Sequence, residues 1–161
     1  MSFFDYPNEP PASAGNDGLL LADASDEEWA TLLAHTRNRR FSPGDAIVTA
    51  GAVDQSLYLV LEGQLEVLAG AKGRGRRGYR RLASVGAGSV IGELSFFDGG
   101  GRSALVRAVT SAMLAEMSRS EFDALATASP DLARRLLFDL GRILAQRLRT
   151  VQGTAAVAGV N

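Results

Sequence analysis

Hydrophobic residues in the middle of the chain occur in short runs separated by glycines and polar residues. These runs occupy residues 46–49, 57–61, 65–68, 79–84, 89–91, 104–110 and 112–117. Runs of this length with turn signals between them are typical of β-strands, and Glu62-Gly63 is typical of a hairpin. Several short strands at regular spacing favour a sandwich or a rolled barrel over a parallel sheet.

A helical period replaces this pattern on both sides of the β region. Residues 25–28 and 118–121 both read Ser-x-x-Glu, the capping box that begins a helix. Ser129-Pro130 then begins a longer helix, expected over residues 131–149. Its apolar stripe consists of Leu132, Leu136, Leu140, Ile143 and Leu144. The sequence therefore predicts a mainly β fold with flanking α-helices: a double-stranded β-helix (a jelly-roll-like β-roll) with an N-terminal helix and a long C-terminal helix.

The two ends of the chain lack any sustained period. Residues 1–24 mix prolines and glycines with small polar residues and are expected to form a mobile arm, in which the role of Phe3, Phe4 and Tyr6 stays open. One domain is expected over residues 25–152, with the β-roll at about 41–117 and the C-terminal helices at 118–152. Residues 153–161 are expected to be a disordered tail.

Composition removes several classes of function. A chain of 161 residues with a net charge of −1 fits one domain without global attraction to nucleic acid or anionic membranes. It has no cysteine, no apolar run near the roughly 20 residues of a membrane span, and no signal peptide, so we expect a cytoplasmic protein. His35 is the single histidine. A histidine-based metal site or catalytic triad is therefore not expected, and neither is an enzyme.

The candidate chemistry lies where one strand ends. Gly92-Glu93-Leu94 begins a short helix, and Arg102-Ser103 follows a triple glycine ten residues after Gly92. A carboxylate accepts hydrogen bonds from sugar hydroxyls, whereas a guanidinium and free backbone N–H groups bind an anion. The simpler alternative is that Glu93 and Arg102 pair with each other across the loop.

This stretch resembles the cyclic-nucleotide-binding domain, and most closely the bacterial catabolite activator protein family, over about residues 41–149. The resemblance implies that Glu93 binds the ribose 2′-hydroxyl and that Arg102 binds the exocyclic oxygens of the cyclic phosphate. Its implied site comprises Ile91, Gly92, Glu93, Leu94, Arg102, Ser103 and Ala104, with Leu82 and Ala83 in the apolar wall. Cyclic AMP is the expected ligand, cyclic GMP and cyclic di-GMP stay open, and no metal is implied.

The long helix adds two arginines to this expectation. Arg142 and Arg147 lie where relatives place contacts to the purine or the phosphate. The family activator carries hydroxyl side chains near the position of Arg147, so base recognition here departs from the family pattern. The helix also repeats Leu137, Leu144 and Val151 every seven residues with Leu140 between, which resembles a short dimer seam. Two alternatives stay open: a homodimer through residues 131–149, or packing of the same leucines on the β-roll.

The helix-turn-helix domain expected in a catabolite-activator relative does not follow the long helix, so direct DNA binding is not expected. We expect a stand-alone sensor that acts on an unidentified effector protein through its C-terminal helix, without membrane insertion. The rival hypothesis is a protein-interaction scaffold whose nucleotide site is vestigial. A basic cluster at residues 72–81 suits either phosphate contacts or a solvated hairpin tip, and its role stays open: Lys72, Arg74, Arg76, Arg77, Arg80 and Arg81.

Overall fold

Eight strands and four helices make up the part of the chain that the structure describes. It is a computed structural model in which residues 20–70 and 78–158 are described, with side chains through residue 153. The strands are β1 (Arg37–Phe41), β2 (Ala46–Val48), β3 (Leu57–Glu62), β4 (Leu65–Gly70), β5 (Tyr79–Val85), β6 (Val90–Ile91), β7 (Leu105–Ala108) and β8 (Ala112–Met117). The helices are α1 (Asp26–Ala34), α2 (Glu93–Asp98), α3 (Arg119–Ala128) and α4 (Pro130–Ala158).

The strands form two four-stranded antiparallel sheets. One has the order β1-β8-β3-β6 and the other β2-β7-β4-β5. Consecutive strands therefore pass from one sheet to the other, except in the β4–β5 hairpin. The hairpin predicted at Glu62-Gly63 is wrong, because β3 and β4 lie in different sheets. The expected mainly β fold, with an N-terminal helix and a long C-terminal helix, is confirmed.

The hydrophobic core has two parts, one on each side of the first sheet. Tyr58 and Val60 of β3 belong to the cluster between the two sheets. Leu57 and Leu59 point the other way, into a cluster shared with the helices. Because successive side chains of a strand alternate between faces, a strand covered on both faces is apolar throughout, which is the run seen in the sequence.

Both predicted capping boxes are present. The Ser25 hydroxyl accepts from the Glu28 N–H while the Glu28 carboxylate accepts from the Ser25 N–H, and Ser118 and Glu121 repeat the arrangement. These bonds satisfy N–H groups that a helix start would leave without a partner. His35 ends α1, with its Nδ1 2.8 Å from the Thr31 carbonyl.

Two expected boundaries need correction, and one strand was not expected. Leu20 and Leu21 are buried in the core, so the expected arm ends earlier than residue 24. Helix α4 runs on to Ala158 through part of the expected disordered tail. The added turns are rich in alanine and extend a helix that is already nucleated, which costs little. Strand β1 was not predicted.

Some predicted features lie outside the described residues. These are the aromatic arm residues Phe3, Phe4 and Tyr6 and the basic residues Lys72, Arg74, Arg76 and Arg77. Arg80 and Arg81, the rest of the basic cluster, lie exposed on β5.

Candidate ligand-binding site

Helix α2 begins at a glycine that no other residue replaces without strain. Gly92 has φ 82°, in the left-handed region, and a Cβ built on it would lie 2.4 Å from Arg102 Nη1 and 2.8 Å from the Ser56 carbonyl oxygen. Glycine is therefore required both for the turn and for the close approach of Arg102. Phe96, packed edge-to-face on Phe122, anchors α2 in the core.

Arg102 is buried beneath this turn and makes contacts to several parts of the chain. Its Nη1 donates to the Gly92 carbonyl at 3.0 Å. Its Nη2 donates to the Ser56 carbonyl at 2.6 Å and to Asp54 Oδ2 at 2.8 Å. Its guanidinium also lies 5.7 Å from the centre of the Tyr58 ring. These contacts fix the guanidinium in one orientation.

One polar group of Arg102 has no partner among the described residues. The Nε of Arg102 is buried and makes no hydrogen bond to residues 20–70 or 78–158. Buried donors in native proteins nearly always have an acceptor, and one without any is costly. A ligand oxygen at this position would remove that cost.

Asp54 is the carboxylate that pairs with Arg102 within the described residues. Burial raises the pKa of Asp54, but the hydrogen bonds from Arg102 and Ser56 and the Arg102 charge outweigh it, so the pKa lies below its ordinary value. The Tyr58 hydroxyl lies 3.1 Å from Asp54 Oδ2 and 3.2 Å from Glu116 Oε1. Burial and these two carboxylates raise the pKa of Tyr58. Tyr58 therefore stays protonated and supplies one proton to two acceptors.

Glu93 is buried at the first position of α2, and its partner comes from the long C-terminal helix. Arg147 Nη1 donates to Glu93 Oε1, and Arg147 Nη2 donates to the Val90 carbonyl at 2.9 Å. A side chain of α4 thus holds both the first residue of β6 and the start of α2. The alternative in which Glu93 and Arg102 pair with each other is wrong, since Glu93 pairs with Arg147 and Arg102 with Asp54.

A pocket lies between these groups. Seven of the expected site residues line it: Ile91, Gly92, Glu93, Leu94, Arg102, Ser103 and Ala104. Val48, Val67, Ser95 and Val106 complete the lining. The enclosed volume of the pocket is ≈ 30 Å³, and the empty volume including its open mouth is ≈ 350 Å³. The first figure is close to the ≈ 30 Å³ that one water molecule occupies in the liquid.

Four expected site residues do not line the pocket. Leu82 and Ala83 are buried between the sheets, and the wall is formed instead by Val67, the cross-strand neighbour of Ala83. Arg147 is near the pocket through its bond to Glu93. Arg142 lies elsewhere, 3.6 Å from Asp139, because five helical residues separate it from Arg147 by about 140° around the axis.

Sequence reasoning missed the residues that hold Arg102 from below: Asp54, Ser56 and Tyr58. Ser56 lies 46 positions before Arg102 in the chain, and Asp54 lies 48 positions before it. No local spacing connects residues so distant, so only the fold reveals the contact.

Within residues 20–70 and 78–158, no group of three or more His, Cys, Asp or Glu side chains is placed to hold a metal ion. None of the helices in those ranges is long and apolar enough to span a bilayer.

This fold and this site agree with the comparison to known families. The model of the cyclic nucleotide-binding domain matches residues 38–129, more than half of the chain. The chain therefore belongs to the cyclic nucleotide-binding domain family, in the form found in catabolite activator proteins.

Individual relatives show how far the likeness extends. The cyclic AMP receptor protein of Thermus thermophilus is 33% identical over 130 residues, which are 81% of this chain and 57% of that protein. The structure of the Thermus thermophilus catabolite activator protein matches with a TM-score of 0.74 at 29% identity, covering 85% of this chain and 61% of that chain. This chain thus spans somewhat over half the length of these relatives.

Two other solved structures bear on the ligand. A cyclic nucleotide-binding domain from Methylobacillus flagellatus matches with a TM-score of 0.75 at 27% identity, covering 91% of this chain and 84% of that one. The cyclic di-GMP-responsive regulator CLP of Xanthomonas campestris matches with a TM-score of 0.70 at 26% identity, covering 85% and 66%.

Proposed function

We propose that this chain is a cyclic-nucleotide sensor module that binds cyclic AMP between Glu93 and Arg102 and reports occupancy through α4. The observation that carries the proposal is the buried, unpartnered Nε of Arg102 in a pocket that also contains the buried carboxylate of Glu93. A cationic donor and an anionic acceptor side by side suit a ligand with both a phosphate and a hydroxyl. We also propose that the module is not an enzyme and that it works in the cytoplasm.

Each lining residue has a part in this binding. Arg102 supplies charge and its free Nε–H to the cyclic phosphate. The N–H groups that begin α2 have no partner within the helix and add donors on the same side. Glu93 accepts from the ribose hydroxyl, while Ile91, Val48 and Val67 cover the apolar edge of the ligand.

Cyclic AMP is proposed on the likeness to the Thermus thermophilus cyclic AMP receptor protein. Cyclic di-GMP is the rival suggested by the Xanthomonas campestris regulator, and cyclic GMP by a similar structure described with a cyclic-GMP-dependent signalling pathway. Ser103 is exposed at the pocket, where its hydroxyl is compatible with each of them. Affinity for the three ligands therefore decides between them.

The coupling to α4 rests on Arg147. Its bond to Glu93 occupies the carboxylate that the ribose needs, and the ≈ 30 Å³ inside the pocket is far below the roughly 300–1,000 Å³ of ordinary ligand sites. Ligand entry should therefore displace the Arg147 side chain from Glu93 and Val90 and so loosen the hold of α4 on β6 and α2. A ligand that binds the shifted arrangement better changes the population of α4 positions.

The outer face of α4 is the proposed contact for an effector protein or a second copy. Leu140 is fully buried against the β-roll and belongs to the inner face, which corrects its place in the expected dimer seam. Leu137 and Leu148 are exposed, and Leu144 and Val151 are partly exposed. These four residues follow a spacing of seven, four and three, the apolar seam of a coiled coil. Sedimentation of the parent and of Leu144→Asn tests this contact. A concentration-dependent dimer that is lost in the variant supports a homodimer. A monomeric parent rules out the homodimer and leaves an effector protein as the proposed partner of this face.

Calorimetric titration with cyclic AMP, cyclic GMP and cyclic di-GMP tests the sensor function directly. The parent is expected to bind one of them saturably, one molecule per chain. Arg102→Met removes the charge-assisted contact, worth about 1.5–3 kcal/mol, and should weaken binding roughly ten- to a hundredfold. Glu93→Gln should weaken it less, since an amide oxygen still accepts. Arg119→Met is the matched control, because Arg119 is an exposed residue paired with Asp123 on α3.

The outcomes separate the two functions under consideration. Binding by the parent and the control, with loss in Arg102→Met, supports the sensor. A folded parent that binds none of the three ligands overturns it and leaves the interaction scaffold with a vestigial site. Equal binding by Arg102→Met and the parent would place the site elsewhere.

A further inference from the structure

Asp54 contacts the anion-binding arginine at Nη2, whereas the expected ligand contact is at the unpartnered Nε. It lies in the loop between β2 and β3 and is not among the residues that line the pocket. Its carboxylate accepts from Arg102 Nη2 at 2.8 Å, from the Ser56 N–H at 2.9 Å and from the Tyr58 hydroxyl at 3.1 Å. Its position is therefore fixed by three donors.

The charge of Arg102 needs this partner when no ligand is bound. The Arg102 side chain is 2% exposed, and Glu93, the buried carboxylate that lines the pocket, is paired with Arg147. A buried charge without a counter-charge is strongly destabilising. In the described part of the chain, Asp54 is the acidic group in an ion pair with Arg102.

We propose that Asp54 is the resident counter-ion of Arg102, that it competes electrostatically with the phosphate of the ligand, and that it thereby sets the affinity of the site. This inference rests on the proposed function. It assigns Asp54 as a specificity- and affinity-setting residue that does not itself touch the ligand.

The sign of the effect follows from comparing the free and the bound protein. Without ligand, Asp54 neutralises a buried cation, so its loss destabilises the free protein. With ligand, the phosphate supplies the counter-charge and the Asp54 carboxylate repels it. Loss of the Asp54 charge therefore costs the free state more than the bound state, and affinity rises.

A role for Asp54 as a mere geometric support predicts the opposite result. The carbonyls of Gly92 and Ser56 and the ring of Tyr58 hold the guanidinium independently of Asp54. Asparagine has the same shape and keeps an acceptor oxygen for Arg102. The variant Asp54→Asn thus removes the charge and leaves the other holds in place.

The size of the effect is limited by solvent, because the Asp54 side chain is 41% exposed. The centres of charge of a carboxylate bound to Nη2 and a phosphate bound to Nε are taken as about 6 Å apart. With an effective dielectric constant of roughly 40–80 for such a half-exposed pair, their repulsion corresponds to about three- to tenfold in affinity.

The experiment compares the parent, Asp54→Asn and the control Asp123→Asn, an exposed carboxylate in an ion pair with Arg119. Each is titrated with the cyclic nucleotide that the parent binds and with the corresponding nucleoside, which lacks phosphate. Asp54→Asn is expected to bind the nucleotide about three- to tenfold tighter, to show no such gain for the nucleoside, and to melt a few degrees lower without ligand. The control should match the parent throughout.

Failure of this inference is distinguishable from failure of the proposed function. If the parent binds a nucleotide and Asp54→Asn binds it equally or more weakly, the inference is overturned and the sensor function stands. If the parent binds no nucleotide, the sensor function fails. The inference is then tested by comparing the melting temperatures of the variants in sodium sulfate and in sodium chloride at equal ionic strength. Sulfate should then raise the melting temperature of Asp54→Asn back towards that of the parent, but should not do so for Asp54→Asn/Arg102→Met. If sulfate does not selectively stabilise Asp54→Asn, the inference is overturned.

Discussion

Substitution of Gly92 by alanine tests the geometry at the centre of the site. The residue has φ 82°, and a Cβ there would lie 2.4 Å from Arg102 Nη1 and 2.8 Å from the Ser56 backbone oxygen. Left-handed backbone costs a residue with a Cβ about 1–2 kcal/mol. Overpacking against a backbone atom that has little freedom to move adds about 1–3 kcal/mol. Gly92→Ala should therefore lower the free energy of unfolding by about 2–5 kcal/mol.

Gly44→Ala separates the two contributions. Gly44 has φ 91° but no atom within 4 Å of a built Cβ, so it bears the backbone strain alone. The difference between the two variants should be about 1–3 kcal/mol, or roughly 2–12 °C in melting temperature for a domain of this size.

Urea unfolding followed by circular dichroism, together with thermal melts, measures this difference. Nucleotide titration of whatever folded Gly92→Ala is obtained adds a second readout, since displacement of Arg102 should weaken binding while Gly44→Ala binds as the parent does. Equal stability of the two alanine variants would refute the close approach of Gly92 to Arg102, and with it the geometry assigned to the anion site.

Three other predictions concern the framework around the site. Ser118→Ala should destabilise the protein by about 1 kcal/mol in urea unfolding, because it removes the cap of α3, and unchanged stability would contradict the capping assignment. Leu140→Ala should cost about 2–5 kcal/mol because Leu140 is fully buried, whereas Phe138→Ala, at a side chain 75% exposed, should cost under about 1 kcal/mol; comparable losses would place the wrong face of α4 on the β-roll. The pKa of Glu121 is lowered, because the hydrogen bonds from Ser118 and the charge of Arg37 outweigh the effect of burial, which alone would raise it. Glu121 therefore stabilises the fold above the unfolded-state pKa of about 4.3, and this stabilisation is lost as the pH falls through the pKa of the folded protein. Unfolding between pH 5 and pH 2 should show a shallower acid loss for Glu121→Gln than for the parent, and an identical slope would rule out this contribution.

The sequence predicted the elements whose local pattern is decided by burial. The strand at Leu57–Glu62 was visible because both of its faces are covered, and the capping boxes because their bonds join residues three apart. Strand β1 was missed for the converse reason. Its sequence, Arg-Asn-Arg-Arg-Phe, is an edge strand with four exposed residues, paired only with β8 among the described strands, so it shows no apolar alternation.

For the site, the sequence indicated the groups that lie close together in the chain and missed those that come from elsewhere. Gly92, Glu93 and Arg102 occupy one short segment around α2, and the structure brings them to one pocket. Asp54 comes from a different loop, and no spacing rule joins it to Arg102. The choice between Arg142 and Arg147 depended on the rotation of α4 about its own axis, which the apolar stripe defined only broadly.

The pairing of Glu93 with Arg147 has a consequence for the order in which the molecule is assembled. The two residues are 54 positions apart. At a synthesis rate of about 5–20 residues per second, Arg147 is made roughly 3–11 seconds after Glu93. During that interval the newly made β strands can pair, but the carboxylate has no cationic partner and must stay hydrated. The ribose side of the pocket is thus finished only when α4 has been made as far as Arg147, and a shortened chain ending before Arg147 would carry the anion side of the site alone.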